Sequence, residues 1–148
     1  EKRPEIIHQC GMKAVEEVKA GYAALGIEAQ VIPFIEDMAA AYVWADVVLA
    51  RAGAISVSEL TAAGVPSILV PLVTKTTSHQ VGNAKYMQDA GAAVYLPQSE
   101  LTTGKLTALL EGLNRKELLE MAKKAKALGK PDAAATVADF IEYVSNKE

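Results

Sequence analysis

An α/β fold, with a parallel sheet of about five strands flanked by helices, is what this sequence predicts, and three observations carry it. Short apolar runs alternate along the chain with stretches of helical period, the pattern of strands joined by crossover helices. The run Val47 to Ala50 is apolar throughout, as a strand is when helices cover both faces of its sheet. No internal repeat or low-complexity linker interrupts the 148 residues, of which 51% are apolar and 22% charged, so residues 1–148 are expected to form a single domain with a real core.

The elements follow in order. Glu5 to Gln9 reads as the first strand, and Val15, Val18, Tyr22 and Leu25 then share one face of a helix that Gly26 closes. Gln30 to Phe34 is the second strand. Asp37 is placed to cap a short helix through Trp44, and Tyr42 with Trp44 reads as core. After the third strand comes a helix from Ser56 to Ala63 that stops at Gly64, and Pro66 resets the chain for a strand from Ser67 to Val70. A polar loop, VTKTTS, leads into a helix from His79 to Asp89; Gly91 ends it, and Ala93 to Leu96 is the fifth strand. The rest is helical, in three stretches, with Thr102 and Asp132 as expected N-caps.

Composition excludes several classes of function. The net charge is -3, and the lysines are scattered over helices rather than gathered in a stripe, which argues against a nucleic-acid surface. There is no CxxC, no HExxH and no histidine cluster, so neither a protein-bound metal nor any cofactor is expected. The single cysteine, Cys10, has no internal disulfide partner and reads as a small buried residue. His8 reads as a hydrogen-bonded histidine at a strand end. With no signal peptide and no apolar run long enough to span a bilayer, the expected location is the cytoplasm.

In an open parallel sheet, ligands bind beyond the carboxyl ends of the strands. The stretch RAGAISVSE, residues 51 to 59, is a strand-to-helix turn of that rim, and small residues there leave the helix's first N–H groups bare for an anion. Two readings of it stand side by side. Ser56 and Glu59 fit a capping box, a purely structural device; alternatively the helix start takes a diphosphate and Glu59 takes a vicinal diol such as a ribose. His79 and Gln80 open the helix after the polar loop and are either solvated helix-start residues or readers of sugar hydroxyls.

The stretch FIEDMAAAYVWADVVLARAGAISVSELTAAGVPSILVPL, followed by HQVGNAKYMQDAGAAVYL, resembles the nucleotide-sugar-binding half of the MurG family of UDP-N-acetylglucosamine transferases, GT-B glycosyltransferases of peptidoglycan synthesis. The resemblance runs from about residue 8 to the last helix and rests on two motifs, R-x-G-A-x-[ST]-x-[SA]-E and H-Q-x-x-N-A. It implies a Rossmann-like domain that binds UDP-N-acetylglucosamine. By similarity, Phe34 and Ile35 lie against uracil, and Ala54, Ile55 and Ser56 lie near the diphosphate. Glu59 would hold the ribose hydroxyls, while Gln80, with His79 beside it, would read the sugar. Arg51, Gly53 and Asn83 belong to the same motifs and complete the expected donor-site set. The implied reaction inverts the anomeric centre and carries lipid I to lipid II at the cytoplasmic face of the bacterial inner membrane.

Three departures from the family shape the remaining expectations. Its N-terminal acceptor domain, and the first strand with a GGSQGA-like glycine loop, are not found in these residues, so the chain by itself is expected to be inactive and to hold no catalytic residue. Thr77 and Ser78 stand where many relatives carry acidic or amide residues. In the six-strand order 3-2-1-4-5-6 the absent strand is central. Its loss predicts either direct closure into the flavodoxin-like order 2-1-3-4-5 or completion by a second copy, a homodimer through exposed sheet edges. A donor-binding subunit that meets an acceptor-domain partner in trans, and a ligand-free scaffold, are the alternative readings.

Overall fold

A computed structural model of the chain describes residues 3–146. They group into two compact units, the first running to Ala41 and the second beginning at Tyr42. The α/β class and the parallel pairing hold, but among the described residues the strands form two sheets, of two and of three, each smaller than the expected sheet of about five. Order 2-1-3-4-5 is therefore not made as a continuous hydrogen-bonded sheet. Each ladder joins strands linked through a single helix, whereas the short helix between the second and third strands spends its last turn elsewhere: Tyr42, and Ala45 just after it, pack on the core of the second unit.

The first unit is a single β-α-β crossover. Strand β1 (Ile7–Gln9) pairs in parallel with β2 (Gln30–Ile32), His8 opposite Val31, and α1 (Val15–Ala24) connects them. Glu16 and Glu17 sit in the first turn of α1, where the helix dipole favours anions. Gly26, with φ of 61°, ends it in the left-handed conformation that only glycine adopts freely, and the Ile27 N–H donates back to the Tyr22 carbonyl. His8 is hydrogen-bonded as expected, its Nδ1 3.1 Å from the Tyr22 hydroxyl. Cys10 is half-buried rather than fully enclosed, its Sγ facing the Ile32 carbonyl at 3.8 Å.

The second unit is a three-stranded sheet in the order β3-β4-β5, namely Val48–Ala50, Ser67–Leu69 and Ala93–Tyr95, all parallel. Alternate residues of a strand face opposite sides, so β4 serves two cores. Leu69 points to the side where Leu60, Ala84, Met87 and Ala125 gather, supplied by α3 (Ala54–Ala63), α4 (His79–Asp89) and α6 (Arg115–Leu128). Ile68 and Val70 point to the other side, against Leu96 and the leucines 106 and 109 of α5 (Thr103–Gly112). Leu60, Ile68, Leu69, Met87 and Leu96 are fully enclosed, each contributing about 1.5 to 3 kcal/mol by burial.

Local signals set most boundaries. Helix α2 (Met38–Trp44) is capped by Asp37, whose Oδ1 accepts from the Ala40 N–H at 2.8 Å, and Thr102 caps α5 by accepting from Lys105. Helix α6 carries a capping box between Asn114 and Glu117. Asp132 departs from expectation: it precedes α7 (Ala133–Ser145), yet its side chain accepts no capping bond. Trp44 departs too, since it is half exposed and belongs to neither core. Every residue of α7 is exposed, including Phe140, Ile141 and Val144.

Candidate functional site: the strand-end rim of the second unit

Because β3 and β4 are parallel neighbours, the segments that follow them emerge at the same end of the sheet. Residues 51–53 lead from β3 into α3, and residues 70–78 lead from β4 into α4. Asn83 ties the two together: from the first half of α4, its Nδ2 donates to the Ala52 carbonyl at 2.9 Å. Ala52 itself is fully buried, so the turn is anchored from beneath and from the side.

The two helix starts differ in what their N–H groups do. In α4 the Gln80 and Val81 N–H groups donate to the Thr77 and Ser78 carbonyls, so the polar loop satisfies them. The Thr77 hydroxyl meanwhile donates to the Leu72 carbonyl at 2.7 Å and accepts from the Thr74 N–H at 3.0 Å. Helix α3 begins at Ala54, two residues earlier than the serine pattern predicts, with extended Gly53 (φ -63°, ψ 151°) as its N-cap and no side-chain capping bond. Its first intrahelical bond is Val57 N–H to the Gly53 carbonyl, so the N–H groups of Ala54, Ile55 and Ser56 have no partner within the helix. The capping-box reading of Ser56 and Glu59 is thereby removed. Of the two starts, α3 is the one whose first N–H groups are not taken up by the preceding loop.

Glu59 lies one turn further along α3, and its Oε2 accepts a hydrogen bond from the Tyr42 hydroxyl at 2.9 Å. The carboxylate thus faces away from its own backbone. Burial first, and then the Glu59 carboxylate as acceptor and as charge, hold the Tyr42 phenol well above its ordinary range.

The remaining expected residues divide by what already holds them. Arg51 donates through Nη1 to the Val70 carbonyl and to Gln98 Oε1, clamping the ends of β3 and β4 to the turn after β5. Gln80 Oε1 accepts from the Leu72 N–H at 2.9 Å, a bond that engages only the oxygen of its amide. His79 and Ile55 are exposed. In the first unit, Phe34 is exposed and the Ile35 N–H donates to Gln9 Oε1 at 3.0 Å. Tyr42, Gln98 and Gln9 were not legible as partners from the sequence, because 17, 47 and 26 residues separate each from the group it holds.

No group of three or more histidine, cysteine or acidic side chains among the described residues is placed to hold a metal. No helix among them is long and apolar enough to cross a membrane.

What fold and rim define is an α/β protein of the Rossmann-like class, with its polar groups gathered where strands run out into helices. The chain belongs to the glycosyltransferase family 28 C-terminal domain, whose family model matches residues 1–137. It is 54% identical over 149 residues to the UDP-N-acetylglucosamine--N-acetylmuramyl-(pentapeptide) pyrophosphoryl-undecaprenol N-acetylglucosamine transferase of Methylibium petroleiphilum (strain ATCC BAA-1232 / LMG 22953 / PM1), an alignment covering 99% of this chain and 41% of that protein. The transferase of the same name from Dechloromonas aromatica (strain RCB) is 50% identical over 143 residues, covering 97% of this chain and 40% of that protein. The crystal structure of Acinetobacter baumannii MurG superposes with a TM-score of 0.88 at 44% identity, over 94% of this chain and 43% of that one. SsfS6, a Streptomyces sp. SF2575 glycosyltransferase, shares the fold at a TM-score of 0.52 and 19% identity. The chain spans about 40% of the length of the curated relatives it matches.

Proposed function

We propose that this chain is the donor-binding part of a transferase that moves N-acetylglucosamine from UDP-N-acetylglucosamine to an undecaprenyl-diphospho-muramoyl-pentapeptide. The observation that carries the reading is the α3 start: three N–H groups without helical partners, a bare Gly53 before them, and a carboxylate one turn on that does not cap its own helix. A diphosphate suits the first and a ribose diol suits the second. The relatives' names supply the donor and the acceptor.

In this reading, the Ala54, Ile55 and Ser56 N–H groups, together with the α3 dipole, stabilise the charge that accumulates on departing UDP. The amide NH2 of Gln80 and the His79 ring meet the sugar hydroxyls. Arg51 and Asn83 act from behind, as clamps on the turn. The base that deprotonates the acceptor is assigned to the part of the relatives that these residues do not span, and the setting to the cytoplasmic face of the inner membrane.

A 15N–1H correlation spectrum titrated with UDP-N-acetylglucosamine, then with UDP, tests the reading. Shifts confined to residues 54 to 59, His79 and Gln80 of the second unit are expected. A dispersed spectrum unmoved at millimolar ligand would overturn the proposal in favour of a ligand-free scaffold. The 148 residues alone are expected to form no product with lipid acceptor, and turnover well above blank would contradict that.

A further inference from the structure

We propose that Tyr42 is the positioning residue of the diol-binding carboxylate: its hydroxyl fixes Glu59 in the orientation that receives a ribose. This rests on the donor-site reading above and deepens it. Four observations carry it.

The hydrogen bond from the Tyr42 hydroxyl to Glu59 Oε2 is 2.9 Å long and joins side chains from different helices. The Tyr42 ring is half-buried and packs against the core formed by Leu60, Leu69 and Met87, so the hydroxyl is held by the sheet and not by a flexible stem. Among the described residues no cation pairs with Glu59, which leaves the phenol as the group that selects its rotamer. The phenol also keeps its proton throughout the neutral range, because burial and the carboxylate itself both oppose its ionisation, so it is a donor under all working conditions.

The chemistry of a carboxylate makes this arrangement productive. Its two oxygens offer about four acceptor sites, and a single phenolic O–H occupies one. A vicinal diol brings two O–H donors, which the free Oε1 and the remaining lone pair of Oε2 can accept. Without the phenol, Glu59 is an exposed side chain on a helix surface, free to explore other rotamers, and a ligand must then restrict that freedom on binding.

Calorimetry on the intact protein with UDP and 2′,3′-dideoxy-UDP, which lacks both hydroxyls, separates the claims. The wild type is expected to prefer UDP, Glu59→Ala to abolish that preference, and Tyr42→Phe to reduce it by about three- to tenfold while leaving 2′,3′-dideoxy-UDP affinity unchanged. Tyr42→Phe added to Glu59→Ala is expected to change nothing further. If the wild type shows no preference, or Glu59→Ala keeps it, the donor-site reading fails and takes this inference with it. If Glu59→Ala abolishes the preference but Tyr42→Phe preserves it, only the positioning role is overturned. Equal losses for both ligands in Tyr42→Phe would overturn it too, because they mark general support of the fold.

Discussion

The two units share one building plan, parallel strands joined through helices, and differ in how much of it is enclosed. In the first, Val31 is the one apolar side chain buried among the described residues, while Met12, Leu25 and Phe34 stand largely exposed. In the second, β4 is buried along its whole length and its alternate residues feed two separate cores. A two-stranded parallel ladder with one helix on it leaves a face of each strand uncovered, whereas a central strand with helices on both sides leaves none. Rigidity, and with it the capacity to hold a turn such as residues 51–53 in place, therefore belongs to the second unit.

The largest effect that can break this comparison is in amide exchange. The Ile68, Leu69 and Val70 amides are expected to exchange at least about a thousandfold more slowly than the ladder-bonded amides of Cys10 and Gln30, since only wide opening of the second unit exposes them. Equal protection would show that the first unit is as stable as the second. Next in size are core truncations: Leu69→Ala is expected to cost about 3 kcal/mol and Val31→Ala about 1, measured by urea unfolding, because a void between packed helices cannot collapse as readily as one near solvent.

The left-handed glycines provide a finer test. Gly26 and Gly64 both end helices at positive φ, 61° and 76°, but a Cβ on Gly26 would meet nothing within 4 Å, and one on Gly64 would come within 3.0 Å of Lys126. Gly26→Ala is expected to cost about 1 kcal/mol from backbone strain alone and Gly64→Ala about 2, with the difference reporting the packing of α6 on α3. The smallest effect runs in the opposite direction. Ser67 is fully buried in β4 and its hydroxyl has no hydrogen-bond partner, so Ser67→Ala is expected to raise stability by about 1 kcal/mol. A loss instead would show that the hydroxyl is satisfied in solution.

Whatever depends on a few neighbouring residues could be read in the chain itself. Helix α4 spans His79–Asp89 as its pattern predicts, Asp37 and Thr102 cap where short polar side chains precede a helical run, and Gly26 and Gly64 stop helices in the one conformation that other residues resist. The place of residues 51–53 on the rim was legible for the same reason, since a short segment that leads from a strand into a helix must leave from the strand's carboxyl end. Where α3 begins was misjudged by two residues, because Ser56 offers a cap that the extended backbone of Gly53 makes unnecessary.

Partnership across the chain was decided by tertiary structure alone. Nothing in the spacing of Tyr42 and Glu59, Asn83 and Ala52, or Arg51 and Gln98 indicates that these groups meet; the last two pairs do so because parallel crossovers bring the ends of β3, β4 and β5 to one edge, and Tyr42 reaches Glu59 because its ring packs on the core that α3 also covers. The division of five strands into two sheets has the same origin. Apolar periodicity tells a strand which face to bury, but the backbone groups that form a ladder are alike in every residue, so which strand lies beside which is settled only when the helices between them pack.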